Sequence, residues 1–145
     1  MPIYQTSFEI NAPANRVWQV LTTLERYAEW NPQIPWASGT LQEGARIHLR
    51  LTLPGRPAMD LSATLEEVKP DRLLTWRGYV GASWFFEGYR KFALEPIVGG
   101  RVRLTHVEDI HGVLAPVFSL LMGGPVEQSH QALNEALRVR AESSE

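Results

Sequence analysis

The sequence predicts an α+β domain: an antiparallel, curved sheet of about seven strands wrapped around a long C-terminal helix, with two short helices after the first strand. Three observations carry this reading. Val102, Leu104, His106, Glu108 and Ile110 alternate, so they share one face of a strand. Several upstream runs alternate with the same period and are separated by turn residues. Val126, His130, Leu133 and Leu137 recur at spacings of four, three and four, the stripe of an amphipathic helix. An apolar strand face that carries an imidazole and a carboxylate is not ordinary core, because burying either group charged is costly without a partner. A few polar groups on the inside of a sheet curled over a helix describe a small-molecule pocket.

The elements follow in order. Ile3 to Ile10 reads as a strand with Ile3, Phe8 and Ile10 as its apolar members. Asn11-Ala12-Pro13 opens a helix, with Asn as N-cap and Pro in the first turn, where its missing N–H has no partner to lose. Val17, Val20, Leu21, Leu24 and Ala28 form the helical stripe, with Trp18 beside it as a packing residue. Thr22-Thr23 divides this stretch into two helices, and Pro32 ends it by disfavouring helical geometry at Asn31.

A meander follows. Ile47, Leu49, Leu51 and Leu53 alternate with His48, Arg50 and Thr52, which face solvent. Pro54-Gly55-Arg56-Pro57 and Lys69-Pro70-Asp71-Arg72 are turns on either side of an inner face formed by Leu61, Ala63 and Leu65. Leu74 and Trp76 continue the pattern. Trp84, Phe86, Gly88, Arg90, Phe92 and Leu94 share the face of the next strand, and Gly99-Gly100 closes a hairpin into the last. Gly123-Gly124-Pro125 interrupts the helical pattern, so Pro125 starts the main helix and Leu114 to Met122 forms a separate turn or short helix. The polar tail from Arg138 frays.

Composition bounds the function. A chain of 145 residues buries a real core as a single domain, 1–145. A net charge of −2 without a basic run argues against nucleic-acid binding. No apolar run approaches the roughly 20 residues that span a bilayer. With no cysteine, disulfides and Cys-ligated zinc are excluded, and a cytoplasmic location is the default. His106-x-Glu108 offers two metal ligands from one strand, and no His-x-x-x-His pair or second cluster supplies the rest. No phosphate loop or nucleophile elbow is present. No metal and no cofactor is therefore expected.

The order strand, helix pair, meander, long helix resembles the START/SRPBCC superfamily, the helix-grip fold of the birch pollen allergen and the aromatase/cyclases. Ile10-Asn11-Ala12-Pro13 with Val17-Trp18 resembles the start of that family's first helix, and Trp30-Asn31-Pro32 its end. Phe92-Ala93-Leu94-Glu95-Pro96, Gly99-Gly100 and Thr105-His106-Val107-Glu108 with Gly112 resemble its last hairpin, and Asn134-Glu135-Ala136-Leu137 its closing helix. The chain looks most similar to the small polyketide-cyclase/dehydrase-type and CoxG-like proteins. The resemblance implies a deep pocket between sheet and C-terminal helix for a hydrophobic small molecule. Many relatives carry Gly-x-His-x-Phe in the penultimate strand. Here the segment is Gly88-Tyr89-Arg90-Lys91-Phe92, so a role implied for that histidine does not transfer.

Trp30, Trp36, Trp76, Trp84, Phe86, Arg90, His106, Glu108 and His130 are the candidate ligand-binding residues. Large rings line apolar sites. Arg90 can pair with Glu108 and hold it ionised, leaving His106 free to exchange protons. The same three residues also fit a structural cluster that satisfies itself, so no catalytic residue is assigned. His130 lies on the helix stripe over the expected cavity mouth, as a ligand contact or a buried boundary residue.

Three functions fit. The first is binding of a lipid, quinone, aromatic or polyketide-like molecule. The second is a cyclase, dehydratase or aromatase in which His106 moves a proton and Arg90 stabilises enolate charge. The third is an interaction or assembly factor in which the Gly123-Gly124-Pro125 break lets the helix shift. The first strand, as a sheet edge, can pair between two copies into a homodimer.

Overall fold

The computed structural model describes residues 3–79 and 87–143. Strand β1 (Ile3–Ile10) leads into helix α1 (Ala14–Thr22) and a 3-10 helix (Leu24–Glu29). Strands β2 (Trp36–Ser38), β3 (Arg46–Leu51), β4 (Met59–Lys69), β5 (Leu73–Tyr79), β6 (Glu87–Ile97) and β7 (Arg101–His111) follow, and helix α2 (Ala115–Glu142) closes the fold. The seven strands form one antiparallel sheet in the order β1-β7-β6-β5-β4-β3-β2, the expected helix-grip arrangement. A register shift between Leu65 and Glu67 interrupts the β4–β5 ladder, a bulge of the kind that bends a sheet.

The local chemistry explains most of these elements. Gly99 and Gly100 both take positive φ between β6 and β7, as the tight hairpin requires. The two helices after β1 divide at Thr23, the C-cap of one and the N-cap of the other. Pro13, not Asn11, is the N-cap of α1, and the backbone N–H of Asn11 instead donates to Glu142 Oε2. In the 3-10 helix Leu24 and Tyr27 are buried while Ala28 is exposed. Three residues per turn replaces the α-helical spacing, so position 27 takes the place expected for 28.

Two further expectations are corrected at the C-terminus. Helix α2 runs unbroken over 28 residues with Pro125 inside it. Proline deletes the hydrogen bond to the Leu121 carbonyl, but Leu120 and Leu121 lie on an exposed flank, where water can serve the freed group. The last turn does not fray. Arg16 donates to the carbonyls of Arg140 and Ala141, Arg138 pairs with Glu135 and Glu142, and Arg140 with Glu29. Cations there satisfy terminal carbonyls and complement the helix dipole.

The core lies between the concave face of the sheet and the two helices. Ile10, Leu21, Leu65, Leu74, Leu104 and Leu137 are wholly buried in it. No helix among the described residues is long and apolar enough to cross a membrane.

Candidate functional site

Strand register builds the site. Arg90 on β6 pairs with Glu108 on β7, and one step along Phe92 pairs with His106, which in turn pairs with Thr6 on β1. On the other side Trp76 pairs with Arg90. Side chains on the inner face therefore form two rows across the sheet: Trp76, Arg90 and Glu108 in one, Phe92, His106 and Thr6 in the other. Helix α2 sets His130 and Asn134, one turn apart, over these rows.

The Trp30-Asn31-Pro32 segment supplies one more member. Asn31 Oδ1 accepts the backbone N–H groups of Gln33 and Ile34 at 3.0 and 2.8 Å. This Asx turn directs the Gln33 side chain inward, where it is almost completely buried. Its amide nitrogen donates to Glu108 Oε1 at 2.9 Å and to Ser129 Oγ at 2.8 Å, and its oxygen accepts from Arg90 Nη1 at 2.5 Å. Arg90 Nη1 also lies 3.2 Å from Glu108 Oε1 and 3.3 Å from His106 Nε2.

The remaining bonds close a ring whose directions are determined by the donor inventory. His106 Nδ1–H donates to Asn134 Oδ1 at 2.7 Å, so its Nε2 lone pair faces Arg90. Asn134 Nδ2 donates to Thr6 Oγ1 at 2.6 Å, and the Thr6 hydroxyl then donates to His130 Nε2 at 2.8 Å. His130 Nδ1 is left facing Glu108 Oε1 at 3.3 Å, in a contact too bent for a full hydrogen bond. The Phe92 and His106 rings stack at 4.5 Å between centroids.

The electrostatics follow from burial and from Arg90. Burial alone would raise the Glu108 carboxyl, but the Arg90 guanidinium, with the two imidazoles, overrides it and holds the group at about 2. Burial pushes His106 well below its ordinary value, and the adjacent guanidinium pushes it further. Burial lowers Arg90, and Glu108 opposes that. At neutral pH the cluster is thus a buried ion pair flanked by a neutral imidazole.

A cavity of about 120 Å³ opens on this cluster, between the sheet and the first half of α2. Leu49, Leu61, Trp76, Ile110, Phe118 and Val126 supply much of its apolar wall, and Gln33, Arg90 and Glu108 its polar end. The volume is close to that of the engineered apolar cavity of about 150 Å³ that holds one benzene.

The candidate residues divide accordingly. Arg90, Glu108 and Trp76 line the cavity. His106 and His130 join the same cluster but lie behind it, sealed from the cavity, and His130 is not at a mouth. Trp30 lies outside this lining: it packs edge-on against Tyr27 and borders a separate pocket with Arg16, Gln19 and Arg140. Trp36 also lies outside it, 45% exposed on edge strand β2 with the Arg50 guanidinium over its ring. Trp84 and Phe86 lie outside the described residues. Gln33, Asn134, Thr6 and Ser129 complete the cluster and were not singled out from sequence.

The expectation that no third group joins His106 and Glu108 as a metal ligand also changes. His130 comes from α2, and the donor atoms of the three lie within 4.8 Å of one another. The Arg90 guanidinium stands against two of them, so a cation of the chain itself already serves this cluster.

Comparison with known proteins agrees with this architecture. The family described as polyketide cyclase / dehydrase and lipid transport matches residues 1–142. No curated protein matches the chain. The fold is similar to that of the Zhui aromatase/cyclase from a Streptomyces species, with a TM-score of 0.79 at 17% identity over 97% of this chain and 93% of that one. A START superfamily protein from Mycobacterium smegmatis has a TM-score of 0.74 at 18% identity over 97% of both chains. Ara h 8.0201 has a TM-score of 0.71 at 12% identity, again over 97% of both. Identities this low speak for the fold alone, but the family match spans nearly every residue: the chain belongs to the polyketide cyclase/dehydrase and lipid-transport family.

Proposed function

We propose that this protein binds a hydrophobic small molecule, a lipid, quinone, aromatic or polyketide-like compound, in the cavity between the sheet and α2. One observation carries the reading: an apolar cavity ends on a buried polar group, the Arg90–Glu108–Gln33 cluster, whose members are all held by other side chains. Apolar walls supply affinity and a few placed polar groups supply orientation. The family description, with its cyclase and lipid-transport members, supports the same class of ligand.

Binding is favoured over proton-transfer catalysis by the cluster itself. A general base works best with a pKa near the operating pH, and Glu108 is held at about 2. His106 is wholly buried behind Arg90 and reaches no cavity surface. The helix break that motivated an assembly-factor role is absent, since α2 is continuous through Pro125.

The test is native mass spectrometry of freshly purified protein, with solvent extraction of any carried molecule, followed by a thermal-shift screen of apolar compounds. A co-purifying apolar species, or a compound that raises the melting temperature, is the expected result, because a ligand of the native state alone must stabilise it. A clean apo mass together with no stabilising compound overturns the reading.

A further inference from the structure

The polar end of the cavity has a distinctive charge balance. Among the described residues, every hydrogen bond of Arg90 leaves from Nη1, and every polar contact of Glu108 arrives at Oε1. The fully buried polar atoms left without partners are Asp109 Oδ1 and His130 Nδ1. Arg90 Nε and Nη2 and Glu108 Oε2 are not among them, so these atoms, on two residues that line the cavity, retain access to it. Both residues are more than nine-tenths buried.

The cavity therefore presents donors and acceptors side by side: the charges of Arg90 and Glu108 cancel at 3.2 Å, and the one further lining carboxylate among the described residues, Asp109, faces His111 at 3.0 Å, so no uncancelled positive charge is offered. A ligand carboxylate entering here would set two anions against one cation in a poorly solvated space, and an unpaired buried charge is costly. A ligand ammonium would meet the mirror-image problem. A hydroxyl or primary amide meets neither, since each can accept from Arg90 and donate to Glu108.

We infer that Arg90 and Glu108 together form a specificity filter: the cavity takes apolar ligands whose polar head is uncharged and carries both a donor and an acceptor, and it rejects carboxylates. The inference rests on the proposed binding function and adds the chemistry of the ligand's head. Arg90 orients the head through its free edge, and Glu108 both accepts the head's hydrogen bond and cancels the charge that would otherwise attract anions.

The experiment compares three probes with one apolar body matched to the cavity's volume, benzyl alcohol, benzamide and benzoate, by isothermal calorimetry at neutral pH. The alcohol and the amide are expected to bind about ten-fold or more tightly than the carboxylate. In Glu108→Gln the Arg90 charge is no longer cancelled, so the order inverts and the carboxylate binds best. A native protein that prefers the carboxylate overturns the filter while leaving the cavity reading intact. Loss of binding by all three probes overturns both. Should Glu108→Gln fail to fold, the wild-type ranking decides alone, because equal affinity for the three heads is itself incompatible with the filter.

Discussion

The imidazoles of His106 and His130 lie parallel, their centroids 3.9 Å apart and their planes within 5°, although one comes from β7 and the other from α2. Two cations cannot share that spacing cheaply, and Arg90 already stands against His106 Nε2.

Acid should therefore destabilise the fold in two stages. His106 has a lower pKa in the native chain than its ordinary 6.5, so the unfolded chain binds the extra proton first and stability falls as pH drops below that value. Glu108 is held at about 2 against an ordinary 4.5, so its contribution is full above 4.5 and fades between 4.5 and 2. Melting temperatures across this range should fall steadily from neutral pH downward. A melting temperature that is flat or rising between pH 6.5 and 4.5 would contradict the neutral-imidazole arrangement.

The ion pair should cost more to break than to replace. Glu108→Ala leaves the Arg90 guanidinium buried without its anion, a loss of about 3–5 kcal/mol. Replacing both, Arg90→Met with Glu108→Leu, removes the stranded charge and should recover most of that loss. Urea denaturation of the two single variants and the double variant checks this, and additive losses would show the pair is not coupled.

Two glycines that face each other across β5 and β6 should behave oppositely. A Cβ on Gly88 meets nothing within 4 Å, whereas one on Gly78 would stand 2.7 Å from the Ser62 carbonyl oxygen. Gly88→Leu is expected to fill the cavity and abolish ligand binding, while stability changes by only about 1 kcal/mol. Gly78→Ala forces backbone apart and should cost about 1–3 kcal/mol. Thermal melts with and without an apolar ligand separate the two effects.

Arg90→Ala should turn the cluster into a metal site. It strands the Glu108 carboxylate beside two imidazoles, three donors within 4.8 Å, with the resident cation gone. Zinc is expected to raise the melting temperature of this variant and leave the native protein unchanged. Equal responses of the two proteins would show that the guanidinium does not hold the metal's place.

Alternation made β7 legible from sequence, and with it His106, Glu108 and the partnership with Arg90, because a period of two needs no knowledge of distant residues. Gly99-Gly100 and Thr22-Thr23 were equally local signals. Gln33 was hidden because its inward turn depends on an Asx bond made by Asn31, not on any periodic pattern. Asn134 lies one turn beyond His130, a spacing that was visible, but its value depends on Thr6, at the far end of the chain. Trp30 and Trp36 lie outside the cavity lining: a large ring signals burial against something, and only packing says against what. Pro125 misled because the cost of a helical proline depends on whether the freed carbonyl reaches water.

The bonds from Thr6 to His130 and Asn134 join residues 124 and 128 positions apart. A nascent chain emerging from the ribosome therefore exposes Arg90, His106 and Glu108 to water until α2 has followed them out. Contacts this distant in sequence form late and slow folding. Until they form, an apolar sheet face with an open edge is offered to whatever else is nearby. The cluster that closes the cavity is, on this account, also the step that withdraws the sheet's apolar face from the surroundings of the newborn chain.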